Sequence, residues 1–239
     1  MDIYEAFNIP QSCEVKNTIF KKLFYENADL TSADKDTFTD TINKITWLYC
    51  LKPETINIQP YKDEIREYIE IEFLEVELKE EKKITRIAEI IMRTIPYPMV
   101  LIFRLSNKIK ICVAHQRVNL NDSSKNTIEE FINTAWVDNN SSLFEKLNIQ
   151  TMRFSNFYAL YSDIVDAISI YNATVLVSND VEVSGEEARK LTLEIQGLEK
   201  DIVSLKAKLK KETQFNKKME LNIQINKLNK RKMQLMGGN

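Results

Sequence analysis

Histidine, glycine and proline are rare in this sequence. Its 239 residues include 1 His, 4 Gly and 5 Pro. Because glycine and proline punctuate loops, their scarcity favours a chain rich in helices. The sequence contains no glycine-rich phosphate loop, no Gly-x-Ser-x-Gly elbow and no His-Glu-x-x-His pair. Their absence argues against P-loop nucleotide hydrolases, serine hydrolases with a nucleophile elbow and zinc proteases.

Cysteine is also scarce. The three cysteines, Cys13, Cys50 and Cys112, are far apart, and none belongs to a Cys-x-x-Cys pair. This spacing argues against a disulfide framework and against a zinc site built from cysteine and histidine. No run approaches the roughly 18 to 20 apolar residues of a membrane span. The acidic start, with Asp2 and Glu5, lacks the apolar segment of a signal peptide. We therefore expect a cytoplasmic protein with free thiols and no membrane association.

Charged residues are abundant but unevenly distributed. The net charge is −2, yet residues 185–239 hold 13 Lys/Arg and 7 Asp/Glu, whereas the remaining residues hold 20 and 28. The C-terminal segment therefore carries +6 and the preceding chain −8. A basic segment of this kind suits an acidic protein surface or nucleic acid, and it is also typical of a solvated helix surface.

Two basic patches are candidate contacts for nucleic acid. Lys21 and Lys22 alternate with Phe20, Phe24 and Tyr25, a mixture that can stack on bases and touch phosphates. The same pattern also fits a strand or an extended arm that its aromatic residues attach to the core. The second patch lies in the C-terminal segment and consists of Lys217, Lys218 and Arg231.

Hydrophobic periodicity divides residues 1–184 into helices and strands after an irregular lead-in over residues 1–33. Helices are predicted at 34–50, at 84–95, in a short segment ending at Thr134, and from Ser155 or Asn156 onward. Strands are predicted at 55–58, 68–79, 99–105 and 108–118, and a polar loop at 119–126. In the second strand the apolar phase slips at Phe73 and Leu74, which predicts a bulge or a strong bend there. The pattern favours an α+β fold with a small mixed sheet and packed helices.

From Gly185 the sequence pattern changes to a heptad repeat of apolar residues, which forms a seam along a helix. Its apolar residues recur at alternating spacings of four and three: Leu191, Ile195, Leu198, Ile202, Leu205 and Leu209. The phase breaks across residues 210–216. A second seam follows, interrupted by Lys232: Leu221, Ile225, Leu228 and Leu235. The break favours an antiparallel helical hairpin over residues 185–239, and the alternative is one continuous dimeric coiled coil with a stutter.

The hairpin is the predicted docking element, because an isolated helical pair of this length is marginally stable and must pack on something. Its leucine seam and the amide-rich corner between the two helices are the candidate partner contacts. The corner residues either bond free backbone groups at the helix ends or form a polar docking surface. The set comprises Leu198, Ile202, Leu205, Gln214, Phe215, Asn216, Glu220 and Asn222.

The pair Glu77 and Lys79 provides a catalytic alternative. A Glu-x-Lys pair on a strand places both side chains on one face, where the carboxylate can hold Mg²⁺ and the ammonium can steady a phosphate oxygen. The order of helix 34–50, strands, helix 84–95 and strand 99–105 resembles the core of restriction-type nucleases with a Pro-Asp…Asp/Glu-x-Lys site. That site needs a second acid on the preceding strand, and no Pro-Asp pair precedes Glu77. A polar strand face explains the pair equally well.

The single histidine and Cys50 do not form a nucleophile and base. His115 shares a strand face with Arg117 and is more typical of a partly buried structural residue than of a general base. Cys50, at the predicted end of a helix, lacks a second histidine that would orient a Cys-His pair. The sequence leaves the roles of His115, Gln116 and Arg117 open and predicts neither a metal nor a cofactor outside the Mg²⁺ alternative.

Several segments together resemble the bacterial domain of unknown function 4391 family. They are 20–26 (FKKLFYE), 45–49 (ITWLY), 52–57 (KPETIN), 95–98 (IPYP), 114–117 (AHQR), 211–216 (KETQFN) and 219–222 (MELN). The family pattern is closer to Ala-x-Lys-Arg at 114–117, so Gln116 departs from it. The family has no agreed activity. The resemblance implies membership of bacterial defence gene clusters, near helicases and DNA methyltransferases, and hence an accessory subunit.

Together these features predict an α+β domain over residues 1–184 and a helical hairpin over residues 185–239. We expect a non-enzymatic accessory or adaptor subunit of a bacterial DNA-handling or anti-phage system that docks through the hairpin. A helicase or methyltransferase is the expected partner, and a homodimer or DNA contact is the alternative. The alternative activity is a Mg²⁺-dependent nuclease that uses Glu77 and Lys79.

Overall fold

The computed structural model describes residues 3–119, 126–177 and 183–237. Its helices are α1 (Ile3–Ala6), α2 (Lys21–Asn27), α3 (Ser32–Thr41), α4 (Pro53–Ile56), α5 (Ile84–Thr94), α6 (Leu143–Lys146), α7 (Phe157–Val177), α8 (Gly185–Lys211) and α9 (Phe215–Leu235). Its strands are β1 (Glu14–Ile19), β2 (Ile42–Leu51), β3 (Tyr61–Lys62), β4 (Glu67–Tyr68), β5 (Ile71–Leu78), β6 (Met99–Leu105), β7 (Lys108–Val118), β8 (Asn126–Asn133) and β9 (Val137–Asp138). The predicted α+β class is confirmed.

The chain divides into two compact units, one ending at Ile168 and the other beginning at Ser169, within α7. Residue 185, where the sequence predicts the start of the hairpin, is the first residue of α8. Ser184 caps that helix, because its side chain accepts a hydrogen bond from the Glu187 N–H while the Glu187 carboxylate accepts one from the Ser184 N–H.

The first unit contains a mixed sheet with the strand order β1-β2-β5-β6-β7-β8, and β9 lies beside β7. β5 and β6 are parallel, and α5 connects them as the predicted crossover helix. The other neighbouring pairs in this sheet are antiparallel. Strands β3 and β4 form a separate two-stranded sheet.

The central strand β5 is buried on both of its faces. Leu74, Val76 and Leu78 face the core that α2, α3 and α5 build on one side of the sheet. On the opposite side the Phe73 ring meets the Phe7 ring nearly edge-on, with 5.5 Å between the ring centroids. Burial on both faces explains why the apolar residues of this strand do not keep to one alternating set.

The predicted bulge near Phe73 and Leu74 is present, on the neighbouring strand. Trp47 pairs with Leu74 and Tyr49 pairs with Phe73, so that Leu48 is the extra residue in β2. One extra residue on one strand reverses the side-chain alternation relative to the partner. The sequence therefore located the irregularity but assigned it to the wrong strand.

The predicted helix over residues 34–50 is wrong in its second half. Thr31 and Asp34 form a capping box that begins α3, which ends at Thr41, and Ile42 starts β2. Register shifts near Ile42 and at Leu48 interrupt the period of two in β2. The buried residues of the strand are consequently spaced as they would be on a helix. This spacing explains why the sequence pattern predicted a helix here.

Three further expectations are corrected. Lys21 and Lys22 begin α2, so they lie on a helix and not in an extended arm, and β1 precedes them within the predicted irregular lead-in. The segment 55–58 does not form a strand, because α4 begins at Pro53, whose fixed φ suits the first helical position. The segment ending at Thr134 is the strand β8, and its Thr127, Ile128, Phe131 and Ile132 suit a strand. Positions 120–125 of the predicted polar loop lie outside the described residues.

The helix α7 is long and apolar enough, by length and composition, to cross a membrane. Its first half is instead packed as a core helix, with Phe157, Leu160 and Ile168 fully buried. The hydroxyl of Tyr161 lies 2.8 Å from the Met99 carbonyl oxygen, so this helix is hydrogen-bonded to the sheet. Asn156 begins the helix, as predicted, by accepting a hydrogen bond from the Ala159 N–H.

The C-terminal helices α8 and α9 form the predicted antiparallel hairpin, and the continuous coiled coil is wrong. Residues 212–214 connect the two helices, and Ile202 and Ile225 are buried at the seam between them. Two interhelical ion pairs flank the seam: Arg231 Nη2 lies 2.8 Å from Glu194 Oε1, and Lys232 Nζ lies 2.7 Å from Glu199 Oε1. Lys232, which interrupts the apolar seam in the sequence, is therefore accommodated by a carboxylate from the other helix.

Candidate functional site

Cys50, Glu70 and Glu72 form a group of metal-ligand side chains in the first unit, here called the donor cluster. Their sulfur and carboxylate oxygen atoms all lie within 4.8 Å of one another. Cys50 in β2 stands directly opposite Glu72 in β5, so the backbone ladder fixes both side chains on one face of the sheet. Glu70 directly precedes β5, and its carboxylate lies beside the other two donors.

The donor cluster places a thiol and two carboxyl groups in a mostly buried position. Glu72 is only 3% exposed and Cys50 6%, while Glu70 is half-buried. Burial, together with the charge of Glu70, raises the pKa of Glu72 to about 7, and burial together with both carboxylates raises the pKa of Cys50 to about 12. Within the described residues neither carboxylate forms an ion pair.

Two aromatic residues line the donor cluster. The Trp47 indole N–H donates a hydrogen bond of 2.5 Å to Glu72 Oε2, which fixes the orientation of that carboxylate. Tyr97 lies in the connection between α5 and β6. The negative charge of Glu70 is the main cause that raises the pKa of its phenol. The cluster therefore lies where the end of β2, the start of β5 and the α5–β6 connection meet.

Sequence reasoning missed this group. It placed Cys50 at the end of a helix, whereas Cys50 lies in a strand that pairs with the Glu70-Ile71-Glu72 segment. The available signal was this Glu-x-Glu pattern at the start of a strongly apolar strand, because a carboxylate that alternates into a buried face demands a partner.

Glu77 and Lys79, the alternative catalytic pair, lie near the end of β5 and directly after it. Lys79 Nζ donates to the Thr39 carbonyl oxygen at 3.0 Å, and Lys21 Nζ donates to the Ile42 carbonyl oxygen at 2.6 Å. Both ammonium groups therefore hold the carboxyl end of α3, where the helix dipole favours positive charge. Among the described residues, the donor cluster is the one place where three or more potential metal ligands meet. Glu77 does not belong to it.

His115, Gln116 and Arg117 lie in β7 and make structural contacts where they are buried. The Tyr68 hydroxyl lies 2.9 Å from His115 Nδ1 and accepts a hydrogen bond from the Gln116 N–H. Gln116 is 2% exposed, and its side-chain amide donates a hydrogen bond of 3.1 Å to the Tyr97 carbonyl oxygen. Gln116 thus ties β7 to the connection that borders the donor cluster, while Arg117 is exposed.

The second unit carries a different feature, an apolar stripe on the side of α9 that faces away from α8. Phe215, Met219 and Ile223, which we call the outer face of α9, are 74%, 50% and 64% exposed. Their spacing of four residues places them on neighbouring turns of one helix face. The seam residues Leu221, Ile225 and Leu228 lie roughly 120–180° around the helix from Met219, the central residue of this face.

The predicted partner and nucleic-acid contacts fall into two groups. Ile202 is buried and Leu198 and Leu205 are half-buried in the second unit, so these residues stabilise the hairpin. The exposed group comprises Gln214, Phe215, Asn216, Glu220, Asn222, Lys217 and Lys218. Arg231 is bound to Glu194, and Lys22 is exposed beside Glu26.

A family model described as Domain of unknown function (DUF4391) matches residues 7–231, nearly the whole chain. Among curated proteins and solved structures, nothing matches the chain. The match spans the donor cluster, the sheet and both hairpin helices up to Arg231. The chain therefore belongs to the DUF4391 family.

Proposed function

We propose that this protein is a non-enzymatic accessory or adaptor subunit that docks to a protein partner through the outer face of α9. The observation that carries the proposal is the alignment of Phe215, Met219 and Ile223 on one helix face that the hairpin seam leaves exposed. Large apolar side chains that share one exposed face are typical of interaction surfaces, whereas single exposed ones are ordinary.

Charge indicates the chemistry of the partner. The helix α9 carries six Lys/Arg (Lys217, Lys218, Lys227, Lys230, Arg231 and Lys232) against the single acid Glu220. Two copies of α9 packed together would therefore bring like charges into contact, which disfavours self-association. An acidic protein surface with apolar side chains complements both properties of the helix, as an amphipathic element would in a helix-in-groove contact.

The biological setting of the proposal comes from the family resemblance. We infer an accessory role, in the cytoplasm, in a bacterial DNA-handling or anti-phage system whose other members include a helicase or a DNA methyltransferase. Direct DNA contact through Lys217 and Lys218 is the competing use of the same surface. The Mg²⁺ nuclease that uses Glu77 and Lys79 is the less favoured alternative, because the Lys79 ammonium group donates a hydrogen bond to the Thr39 carbonyl oxygen at the end of α3.

The test compares three forms of the tagged full-length chain in pull-downs from nuclease-treated lysate of the native host, followed by reconstitution with the purified candidate. The outer-face variant is Phe215→Ser with Ile223→Ser, and the matched control is Val203→Ser, which alters another exposed apolar residue, 67% exposed, on α8. We expect one acidic partner to bind the wild type and the control equally and the outer-face variant at least tenfold more weakly, since buried aromatic anchors contribute more than about 1 kcal/mol each.

Two results would contradict the proposal. The first is equal binding of the reconstituted partner by all three forms. The second is recovery of the partner only without nuclease treatment, combined with binding of duplex DNA that Lys217→Ala and Lys218→Ala abolish, which would make the hairpin a nucleic-acid contact. Leu198 and Ile202 are unsuitable positions for this test, because polar residues there would unfold the hairpin.

A further inference from the structure

The donor cluster combines one thiol and two carboxylates in a geometry close to that of a metal site. Tetrahedral Zn²⁺ binds sulfur and oxygen ligands at about 2.0–2.3 Å, which places neighbouring donor atoms roughly 3.3–3.8 Å apart. The three donor atoms of the cluster already lie within 4.8 Å of one another. The donor atoms therefore have to approach one another by at most about 1.5 Å to reach these separations.

The charge of the cluster provides a separate argument for a ligand. Glu72 is 3% exposed, its carboxylate points into the cluster, and no lysine or arginine forms an ion pair with it in the described parts of the chain. The Trp47 indole N–H donates to this carboxylate, and the Cys50 sulfur lies 3.9 Å from Glu70 Oε2. The buried carboxylate therefore requires either shared protons or a cation, because an unpaired buried charge is costly.

We propose that Cys50, Glu70 and Glu72 bind one divalent transition-metal ion, with Zn²⁺ as the ion that best matches the donor set. A thiolate ligand selects borderline or soft ions such as Zn²⁺ and disfavours Mg²⁺ and Ca²⁺, which take six or more oxygen ligands. Three protein ligands leave a fourth position for water or a partner's group on the side of half-buried Glu70.

The residues around the donor cluster also support a metal site. The Trp47 N–H holds Glu72 Oε2, as hydrogen bonds from neighbouring residues commonly hold metal-bound carboxylates. Cys50 and Glu72 are directly paired strand residues, so the backbone orders two of the three ligands before any ion arrives. The site lies in the first unit and does not depend on docking by α9, so either proposal can fail alone.

The test titrates the full-length chain, purified in chelator and then freed of it, with Co²⁺ and follows the near-ultraviolet thiolate-to-metal charge-transfer absorption. We expect one Co²⁺ per chain, displacement by Zn²⁺, and no charge-transfer band in Cys50→Ser. Glu72→Gln keeps an acceptor for Trp47 and should bind Co²⁺ at least tenfold more weakly. Cys13→Ser and Glu77→Gln serve as matched controls, because they alter a second buried thiol and a carboxylate on the same strand, and both should behave as the wild type.

Circular dichroism of each variant ensures that a missing band reports a missing ligand and not an unfolded chain. The proposal is wrong if the folded wild type gives no charge-transfer band with Co²⁺ at neutral or mildly alkaline pH, since the cluster then holds shared protons. It is also wrong if the band persists in Cys50→Ser, or if Glu77→Gln removes binding while Glu72→Gln does not. A Zn²⁺-dependent rise in thermal stability, present in the wild type and absent from Glu72→Gln, provides a second reading of the same site.

Discussion

At the scale of single residues, Asp34 links two helices of the first unit, α3 and α5. It completes the capping box that begins α3 and accepts two hydrogen bonds from Arg86 of α5, one of 3.0 Å from Nε to Oδ1 and one of 2.9 Å from Nη2 to Oδ2. The Arg86 guanidinium holds the pKa of this carboxyl well below its usual range. Asp34 therefore fixes the start of one helix and joins it to another.

We predict that Asp34→Asn lowers the free energy of unfolding by about 2 kcal/mol, because it removes charge-assisted hydrogen bonds from a buried carboxylate. Asp36→Asn, an exposed change in the same helix, serves as the control and should cost less than about 0.5 kcal/mol. Both are measured by urea denaturation at pH 7. Equal losses in the two variants would contradict the role of the Arg86 contact.

The same carboxylate predicts a dependence of stability on pH. The folded pKa of Asp34 is lowered, so its contribution is fully present above the unfolded value of about 4 and is lost as the pH falls through the folded pKa. The difference in unfolding free energy between wild type and Asp34→Asn should consequently shrink as the pH is lowered from 5 toward 2. A difference that stays constant over this range would show that the capping geometry, and not the charge, stabilises the site.

The donor cluster shows why single residues were hard to interpret from the sequence. Cys50 and Glu72 are far apart in the chain, and they meet only because the bulge at Leu48 sets the register between β2 and β5. No short motif encodes that register. By contrast, the residues of the exposed α9 surface, such as Phe215 and Asn222, were recognisable because helical neighbours are close in sequence.

At the scale of secondary-structure elements, periodicity was reliable where a single period held. The helix α5, the strands β6 and β7 and the hairpin helices follow the predicted bounds closely, because each helix keeps an apolar repeat of three to four residues and each strand is strongly apolar. The two strands that were predicted as helices, β2 and β8, contain register shifts or partly exposed residues that break the alternation. In those segments, pairing with neighbouring strands determined the secondary structure, and local residue propensity did not.

The hairpin seam gives a prediction for this scale. Ile225→Ala removes a side chain that is 6% exposed and should lower the stability of the hairpin by about 2–4 kcal/mol. Since a two-helix unit is marginally stable, amide hydrogen exchange in α8 and α9 should rise sharply while exchange in β5 and β6 stays unchanged. Hydrogen exchange with mass spectrometry measures both regions in one experiment.

The exposed residue Val203 provides the control for the seam. Val203→Ala changes a side chain that is 67% exposed and should leave exchange in both helices as in the wild type. Faster exchange throughout the first unit in Ile225→Ala would refute independent stability of the hairpin, and it would indicate that both units unfold together.

At the scale of the whole molecule, the chain is electrically divided. Residues 185–239 carry +6 and the preceding residues −8, although the net charge is only −2. A surface of one sign speeds association with a surface of the opposite sign, and salt screens this effect beyond a Debye length of about 8 Å at physiological ionic strength. In the proposed complex, the apolar outer face of α9 would determine how long the partner stays bound, because most affinity differences lie in dissociation rates.

This division predicts the oligomeric state. The positive charge of α9 opposes contact between two copies of that helix, so we expect the purified chain to sediment as a 27.9 kDa monomer at about physiological ionic strength and micromolar concentration. Sedimentation velocity of the wild type and of Phe215→Ser with Ile223→Ser measures this directly. A dimer that the double substitution abolishes would make a second copy the occupant of the outer face and would overturn the acidic-partner proposal. A dimer that persists in that variant would leave the outer face free, and the proposed docking would then apply to a protein that presents two such faces at once.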